Sequence, residues 1–409
     1  MKKTELLAPA GNLERLKTAI AFGADAVYAG GEAFSMRSAA KNFSSDDLKR
    51  ARELTLAKNK KLYIAVNIIP HNCDMEVLPA YLEELSALSP DGLIVSDLGV
   101  FTMAKELAPN VPLHISTQAN NTYSQSFKAW HKLGATRVVC ARELSFDEIK
   151  EIRQQIPEDL EIEAFVHGAM CISYSGRCLL SGYMTGRDSN QGNCAHPCRW
   201  NYSLMEEQRP GEYYPVYENE RGTFIFNSKD LCMIEYIPQI IESGINSLKL
   251  EGRVKTEYYV ATVVKAYREA IDRYLDNPKT YQTDPDWLEE LSKVSNRHYT
   301  TGFYLGKPDD SAQNYETSAY VRNYDVAAVV VGYDQATGDV LVEQRNRFFE
   351  GEELETVVPF EKSFAFTVNN MRDEGGNPVS VAPHPRQVLR LPLGRELPIL
   401  SLLRKKREL

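Results

Sequence analysis

Three features of the sequence predict an α/β fold: a (β/α)8 TIM-like barrel with a cysteine-rich insertion, plus a small C-terminal all-β barrel domain. Short β-branched apolar runs alternate with longer amphipathic segments over the first part of the chain. One long polar interval, which contains five of the seven cysteines, interrupts this alternation. After about Thr317, regularly spaced short strands replace the helical segments. The 409 residues are enough for a barrel of about 250 residues and a smaller module.

Eight apolar runs are predicted to form the parallel strands of the barrel, because such runs between turn residues are typical of strands buried on both faces. Amphipathic segments such as Asn12–Phe22 and Ser45–Lys58 separate them, with Ser45 and Asp46 as expected N-caps. Eight βα units favour a barrel over a doubly wound open sheet, since no Gly-x-Gly-x-x-Gly follows a run. The runs are Leu6–Ala8, Ala26–Gly30, Lys61–Ile69, Gly92–Ser96, Leu113–Thr117, Arg137–Ala141, Ile162–His167 and Ser247–Glu251.

The cysteine-rich interval is predicted to lie over the mouth of the barrel. It follows the seventh run, at about residues 168–243, whereas βα loops usually have about 2–6 residues. Active sites of such barrels lie at the C-terminal ends of the strands. We therefore expect three parts: a barrel with this insertion (1–275), a linker and helical region that packs on it (276–318), and the β domain (319–409).

The predicted strands of the C-terminal part are short and separated by turn residues, as in small all-β domains. The stretch from Arg386 to Leu409 holds seven Lys/Arg against two Glu. It is expected to be either a solvated, frayed tail or a local patch for a polyanion. A local patch would be needed, because the net charge of −9 disfavours polyanions over the molecule as a whole. The strand candidates are Val326–Tyr333, Asp339–Glu343, Glu355–Pro359, Ser363–Val368, Val379–Ala382 and Gln387–Leu391, and Phe224–Asn227 in the insertion.

The expected compartment is the cytoplasm. The N-terminal lysines are not followed by the apolar region of a signal peptide, and no stretch has the ~18 apolar residues of a membrane span. Cytosolic thiols stay reduced, so clustered cysteines there are more often metal ligands or catalysts than disulfides. Cys73 and Cys140 lie outside the cluster and are interpreted as small buried apolar residues.

The clustered cysteines are predicted to form a metal site, because they lie among Gly, Ser, Arg and Asn instead of on apolar faces. Only Cys194 and Cys198 have a spacing that zinc prefers. The other gaps match neither a zinc finger nor a ferredoxin. The spacing therefore modestly favours a [4Fe–4S] cluster and leaves zinc open. Five cysteines compete for four ligand positions: Cys171, Cys178, Cys194, Cys198 and Cys232.

Charged and polar residues near the predicted strand ends are the other site candidates. Arginines and lysines there favour an anionic small molecule or a phosphate backbone, although each could be an ordinary surface residue. Asn67, His114 and Gln118 also lie at or near the C-terminal ends of predicted strands, where barrel active sites lie, and are weaker candidates. Arg199, Lys229 and Lys255 add to the positive charge. The candidates for chemistry are His167, Arg177, Arg187, Lys249, Glu251 and Arg253.

Several blocks of the sequence resemble the collagenase-like peptidase U32 family over essentially the whole chain. The resemblance implies a [4Fe–4S] cluster on Cys171, Cys178, Cys194 and Cys232, with Cys198 as an alternative ligand or a residue just outside the ligand set. The blocks are Leu6–Gly11, Asp25–Gly30, Glu163–Cys171, Tyr174–Cys178, Arg187–Cys194, Asn227–Cys232, Lys249–Arg253 and Asn296–Phe303.

The family resemblance also implies a reaction. The chain looks most like a branch that hydroxylates the wobble uridine of tRNA to 5-hydroxyuridine without O2, with prephenate as hydroxyl donor. The expected partners are the tRNA anticodon loop and prephenate, with homo-oligomerisation or pairing with a paralogue as further options. The alternatives are a hydroxylase of ribosomal RNA cytidine or of a quinone precursor, a non-catalytic RNA-binding protein, and a peptidase. A peptidase has little support, since the sequence has neither Gly-x-Ser-x-Gly nor His-Glu-x-x-His.

Overall fold

Eight parallel strands close into a barrel in the N-terminal part of the chain, as predicted. The computed structural model describes residues 4–35, 42–171, 173–200, 217–219, 222–224, 228–308, 312 and 320–407. The strands before residue 301 are β1 (Glu5–Pro9), β2 (Ala26–Gly30), β3 (Lys61–Val66), β4 (Gly92–Val95), β5 (Leu113–Ile115), β6 (Arg137–Val139), β7 (Glu161–Gly168), β8 (Tyr217–Asn219), β9 (Gly222–Phe224), β10 (Asp230–Cys232), β11 (Ser247–Leu250) and β12 (Tyr299–Thr300).

The barrel consists of β1–β7 and β11, each paired in parallel with the next. It closes where β11 pairs with both β1 and β7, with Ser247 opposite Glu5 and Glu163. Helices cover the outside, and their apolar faces join the strands in one continuous core. The helices are α1 (Leu13–Ala21), α2 (Ser45–Ala57), α3 (Leu78–Leu88), α4 (Leu98–Leu107), α5 (Ser124–Leu133), α6 (Phe146–Gln155), α7 (Leu180–Thr185), α8 (Ile237–Glu242), α9 (Glu257–Asp276) and α10 (Pro285–Ser292).

Two local expectations were wrong. The N-cap of α2 is Ser44, not Ser45 or Asp46: Ser44 has an extended backbone, and its hydroxyl accepts a hydrogen bond from the Asp47 amide at 3.2 Å. This is the usual geometry of an N-cap, so Ser45 already lies inside the helix. Cys73 is exposed in a short 3-10 helix, whereas Cys140 is buried as expected.

The insertion between β7 and β11 adds one strand, β10, to the edge of the barrel sheet. β10 pairs antiparallel with the end of β7, so that Cys232 lies opposite His167, and β12 pairs in parallel with β10. Residues 173–200, which we call the mouth segment, contain α7 and contact the loop after β3 through an Ile69 amide to Asn190 carbonyl bond of 3.2 Å. β8 and β9 form a hairpin. The predicted strand Phe224–Asn227 extends into residues 225–227, which lie outside the described residues.

The C-terminal part forms a seven-stranded antiparallel sheet with its own apolar core. Its order is β17-β16-β21-β13-β14-β20-β18, and β15 pairs with β19 beside it. The strands are β13 (Tyr324–Asp334), β14 (Asp339–Gln344), β15 (Phe348–Phe349), β16 (Glu353–Val357), β17 (Ala365–Thr367), β18 (Arg372–Asp373), β19 (Val381–Ala382), β20 (Val388–Leu391) and β21 (Leu402–Lys406).

The basic end of the chain is not a frayed tail, which corrects that expectation. It forms β21 between β13 and β16, and Arg404 is fully buried. The Arg404 guanidinium lies 2.7 Å from both Glu290 on α10 and Glu355 on β16. These carboxylates neutralise it, so Arg404 joins the C-terminal sheet to the barrel helices and is not available to a phosphate.

Among the described residues, no helix has both the length and the apolar character needed to cross a bilayer.

Candidate functional site

A cavity lies at the C-terminal ends of the barrel strands, under the mouth segment. The strand ends contribute aromatic and apolar residues, including Tyr28, Ile94 and Phe165. The mouth segment contributes the opposite wall, from Ser173 to Cys198. This position agrees with the rule that barrel enzymes build their sites at this end. The charged residues that line the cavity are Arg142, Lys249, Glu251 and Arg253.

Lys249, which lines the cavity, belongs to a buried ion pair. Lys249 Nζ lies 2.7 Å from Glu163 Oε1, and both side chains are buried. The ammonium also lies 4.4 Å from the centre of the Tyr28 ring. Below the pair, Arg137 bridges Glu163 at 3.0 Å and Glu5 at 2.7 Å. Burial disfavours the ionised form of Glu5, but the charge and hydrogen bonds of Arg137 prevail and lower its pKa to about 2.

Arg142 is a site residue that the sequence analysis missed. Its guanidinium stacks over Phe165 at 4.0 Å and donates to the Ala169 carbonyl at 3.1 Å. Its Nη2 lies 3.9 Å from Glu251, which also accepts a bond from the Tyr28 hydroxyl at 3.2 Å. The Arg142 Nε is buried and has no hydrogen-bond partner among the described residues. Since buried donors are normally paired, this group can donate to a bound ligand.

The only sequence signal for Arg142 was its position. It directly follows the predicted sixth strand, which ended at Ala141. Counting Arg142, Lys249 and Arg253 against Glu163 and Glu251 leaves one positive charge in excess (three minus two) at this end of the cavity. An anionic group therefore fits here electrostatically.

The structure brings four of the five candidate cysteines to the cavity. Cys171, Cys178, Cys194 and Cys198 all line it. Cys232 is buried in β10 and is absent from the described lining. Burial raises the pKa of the Cys232 thiol to about 12, with the Tyr267 hydroxyl 4.0 Å from its sulfur.

The cysteines that line the cavity are the kind of donor that fits an iron–sulfur cluster, because these clusters are held by cysteine thiolates. Four cysteine side chains from loops line one cavity. Within the described part of the chain, no three His, Cys, Asp or Glu side chains are grouped closely enough to hold a metal ion.

His167 is absent from the described lining of the cavity. It is fully buried, and its Nδ1 is 3.4 Å from the Tyr267 hydroxyl. Burial, aided by the charge of Lys255, lowers the pKa of His167 to about 3, so it is neutral at ordinary pH. Arg177 and Arg187 are exposed on the mouth segment and are not part of the described cavity lining. Of the six candidates for chemistry, the structure therefore brings Lys249, Glu251 and Arg253 together.

Amide and hydroxyl side chains line another part of the cavity. Asn67 Nδ2 donates to Gln118 Oε1 at 3.1 Å and to Ser116 Oγ at 3.3 Å, and Ser116 bonds Gln118 in turn. All three residues line the cavity, whereas His114 packs edge-on against Tyr63 beneath it. Burial, together with the charge of Arg137, holds the pKa of His114 well below its usual range. Asn67 and Gln118 are therefore placed to contact a ligand.

Comparison with known proteins shows full-length relatives. Residues 11–314 match the model of peptidase family U32, and residues 322–404 match the model of the U32 C-terminal domain. The chain is 42% identical to tRNA hydroxylation protein P1 of Bacillus subtilis (strain 168) over 404 residues, which cover 99% of this chain and 95% of that protein. It is 37% identical to tRNA hydroxylation protein P of Escherichia coli (strain K12) over 436 residues, covering 97% and 95% respectively. A collagenase of Porphyromonas gingivalis (strain ATCC BAA-308 / W83) is 33% identical over 313 residues, or 74% of each chain.

Proposed function

The chain belongs to peptidase family U32, and from that premise we propose that it is a tRNA-modifying enzyme that hydroxylates the wobble uridine to 5-hydroxyuridine. The observation that carries the proposal is the similarity, over nearly the whole length of both chains, to proteins named for tRNA hydroxylation. The geometry supports the proposal, because a cavity with cysteines, cations and amides lies at the catalytic end of the barrel.

We propose that a [4Fe–4S] cluster is held at the mouth of the barrel. Cys171, Cys178 and Cys194 would hold it, and the fourth ligand would be Cys232, as the family resemblance implies, or Cys198, which shares the cavity. When bound, such a cluster supplies redox or Lewis-acid chemistry.

The amide part of the cavity suits a pyrimidine base. The C5 atom of a stacked loop nucleotide is out of reach of a barrel mouth, so the base has to be splayed out into the cavity. Carboxamides offer both a donor and an acceptor, as the edge of uracil requires. Asn67 and Gln118, already joined by a hydrogen bond of 3.1 Å, are the residues placed to orient it.

The cationic part of the cavity suits prephenate, the proposed hydroxyl donor, which is a dicarboxylate. Arg142 presents an unsatisfied Nε, and the ring of Phe165 supports the face of its guanidinium. A guanidinium binds a carboxylate through two parallel hydrogen bonds, whereas an ammonium binds it as a point charge. Arg253 and Lys249 add positive charge on the β11 side of the cavity.

Replacement of Arg142 by glutamine is expected to raise the KM for prephenate about 10-fold to 100-fold, because a hydrogen bond to a charged group contributes about 1.5–3 kcal/mol. The kcat should change much less. Arg142→Lys keeps the positive charge but cannot make the two parallel hydrogen bonds of a guanidinium, so its KM should lie between those of the wild type and the glutamine variant. Steady-state kinetics on saturating tRNA measure both constants. An unchanged KM in Arg142→Gln would show that Arg142 does not bind prephenate.

The cellular test of the proposed function is mass spectrometry of tRNA nucleosides from a strain that lacks the gene. We expect 5-hydroxyuridine and its derivatives to disappear and to return with the wild-type gene. Unchanged nucleosides in a strain that has no paralogue would refute the proposal.

A peptidase is the second candidate, favoured by one contact in the cavity. Cys194 Sγ lies 3.9 Å from His196 Nδ1, and a neighbouring imidazole can activate a cysteine nucleophile. The collagenase relative points the same way. Release of peptides from denatured collagen by the purified protein, lost in both Cys194→Ala and His196→Ala, would favour this candidate over the hydroxylase.

A further inference from the structure

The mouth segment exposes an unusual concentration of large apolar side chains. Five of the seventeen exposed large apolar residues in the described part of the chain fall within its 28 residues. Tyr183 is the extreme case, with 91% of its surface exposed. Clusters of this kind on a soluble protein mark binding surfaces. The five are Tyr174, Leu179, Tyr183, Met184 and Trp200, and we call them the aromatic rim.

The backbone under the aromatic rim is fixed by hydrogen bonds. The hydroxyl of Ser181, the buried residue of α7, donates to the Arg187 carbonyl at 2.7 Å and accepts from the Ala195 amide at 3.0 Å. Asn190 ties the segment to Ile69 at the barrel mouth. Gly176 packs against Gln118, so closely that a Cβ there would come within 3.0 Å of its side chain. The rim side chains are therefore held outward by a supported loop.

The composition of the rim distinguishes between classes of partner. Three of its members are aromatic, and Arg177 and Arg187 are exposed in the same segment. The mouth segment has three arginines and one aspartate in its sequence, a net charge of +2, in a chain whose net charge is −9. Aromatic rings interleaved with arginines are the usual surface for single-stranded nucleic acid, where bases stack on the rings and arginines neutralise phosphates.

The rim is also continuous with the cavity. Tyr174 belongs to both, since it lines the cavity and is about half exposed. A base that enters the cavity leaves its two neighbours without a stacking partner, and rings at the entrance can replace that partner.

We propose that the aromatic rim binds the unpaired anticodon-loop nucleotides that flank the target uridine, with Tyr183 as a stacking platform and Arg187 as a phosphate contact. The inference rests on the proposed function, because that function supplies the RNA. It assigns the recognition of the loop to the mouth segment, and not to the basic end of the chain, where Arg404 is buried and paired.

The test is the affinity of the full-length protein for a labelled anticodon stem–loop RNA, measured by fluorescence anisotropy. Tyr183→Ala is expected to weaken binding about tenfold, because one base–aromatic stack contributes about 1–3 kcal/mol. Tyr183→Phe should bind like the wild type, since it keeps the ring. Arg187→Gln should reduce the slope of log Kd against log salt concentration by about 1.

Phe360→Ala is the matched control. Phe360 is another exposed aromatic residue, but it lies at the opposite end of the barrel. Its ring is next to Gly23, just before β2, where a Cβ added to the glycine would come within 3.1 Å of it. Its replacement should leave RNA affinity unchanged. Circular dichroism of each variant should match the wild type, because Tyr183 buries almost none of its surface.

Two results would overturn the proposal: wild-type protein that fails to bind the stem–loop, or Tyr183→Ala that binds as tightly as wild type. If that variant instead changes the molecular mass in sedimentation while RNA affinity is unchanged, the rim is a protein interface. A different result would contradict the proposed function: normal tRNA nucleosides in the deletion strain, although RNA binding still depends on the rim.

Discussion

Replacement of Cys178 by alanine is expected to lower 5-hydroxyuridine in tRNA at least about 100-fold, since even partners outside the ligand shell cost about 10–100-fold when lost. Cys178 lines the cavity, and its carbonyl accepts hydrogen bonds from Ser189 at 2.5 Å and Asn190 at 3.2 Å. Those bonds involve the backbone, so the variant should keep the loop and lose only the sulfur. Nucleoside mass spectrometry and iron content of anaerobically purified protein measure the two losses together.

Cys73→Ala is the control for this experiment, because Cys73 is exposed and is absent from the described lining of the cavity. It should retain both iron and activity. Parallel alanine variants of Cys198 and Cys232 decide which of them is the fourth ligand, since only the ligand's loss should lower the iron content. A colourless Cys178→Ala protein with full activity would show that no cluster is needed.

Replacement of Arg137 by methionine is expected to reduce the free energy of unfolding by about 3–5 kcal/mol, the usual cost of removing one partner of a buried ion pair. Arg137 is buried and lies 2.7 Å from Glu5 and 3.0 Å from Glu163. Its loss leaves these carboxylates in the barrel interior with fewer counter-ions. Urea unfolding followed by circular dichroism measures the change. Arg407→Met, which breaks an exposed pair with Asp325, should cost less than about 1 kcal/mol.

The acid dependence of this effect follows from Glu5. Its pKa is lowered from 4.5 to about 2 in the folded protein. A lowered carboxyl pKa stabilises the fold above the unfolded value, and the stabilisation is lost as pH falls through the folded value. The difference in unfolding free energy between wild type and Arg137→Met should therefore shrink between pH 4.5 and pH 2. A difference that is constant over this range would mean that Glu5 is not the responsible group.

The barrel could be predicted from the sequence because its strands are buried on both faces and are therefore continuous apolar runs. The predicted strand ends were less accurate at the mouth. The run Lys61–Ile69 continues past β3, which ends at Val66, because Asn67 already turns to line the cavity. Local sequence does not distinguish an apolar strand end from an apolar loop that covers a site.

Long-range charge pairing was beyond prediction. Arg404 belongs to a basic cluster in the sequence, and its partners Glu355 and Glu290 lie 49 and 114 residues away. For Arg142 the error was the opposite one. The sequence suggests an ordinary surface charge, whereas in the fold its guanidinium lies over the Phe165 ring. The cysteines were recognisable from their polar surroundings, but only the fold shows that Cys198 shares a cavity with Cys171, Cys178 and Cys194, while Cys232 lies in β10.

The most direct test of the proposed function is hydroxylation in a purified system. Anaerobically reconstituted protein, tRNA from the deletion strain and prephenate are combined without O2, and nucleosides are followed by mass spectrometry. We predict that 5-hydroxyuridine accumulates with time, requires prephenate, and is absent with Cys178→Ala. Iron-loaded, RNA-binding protein that forms no 5-hydroxyuridine under these conditions would contradict the assignment.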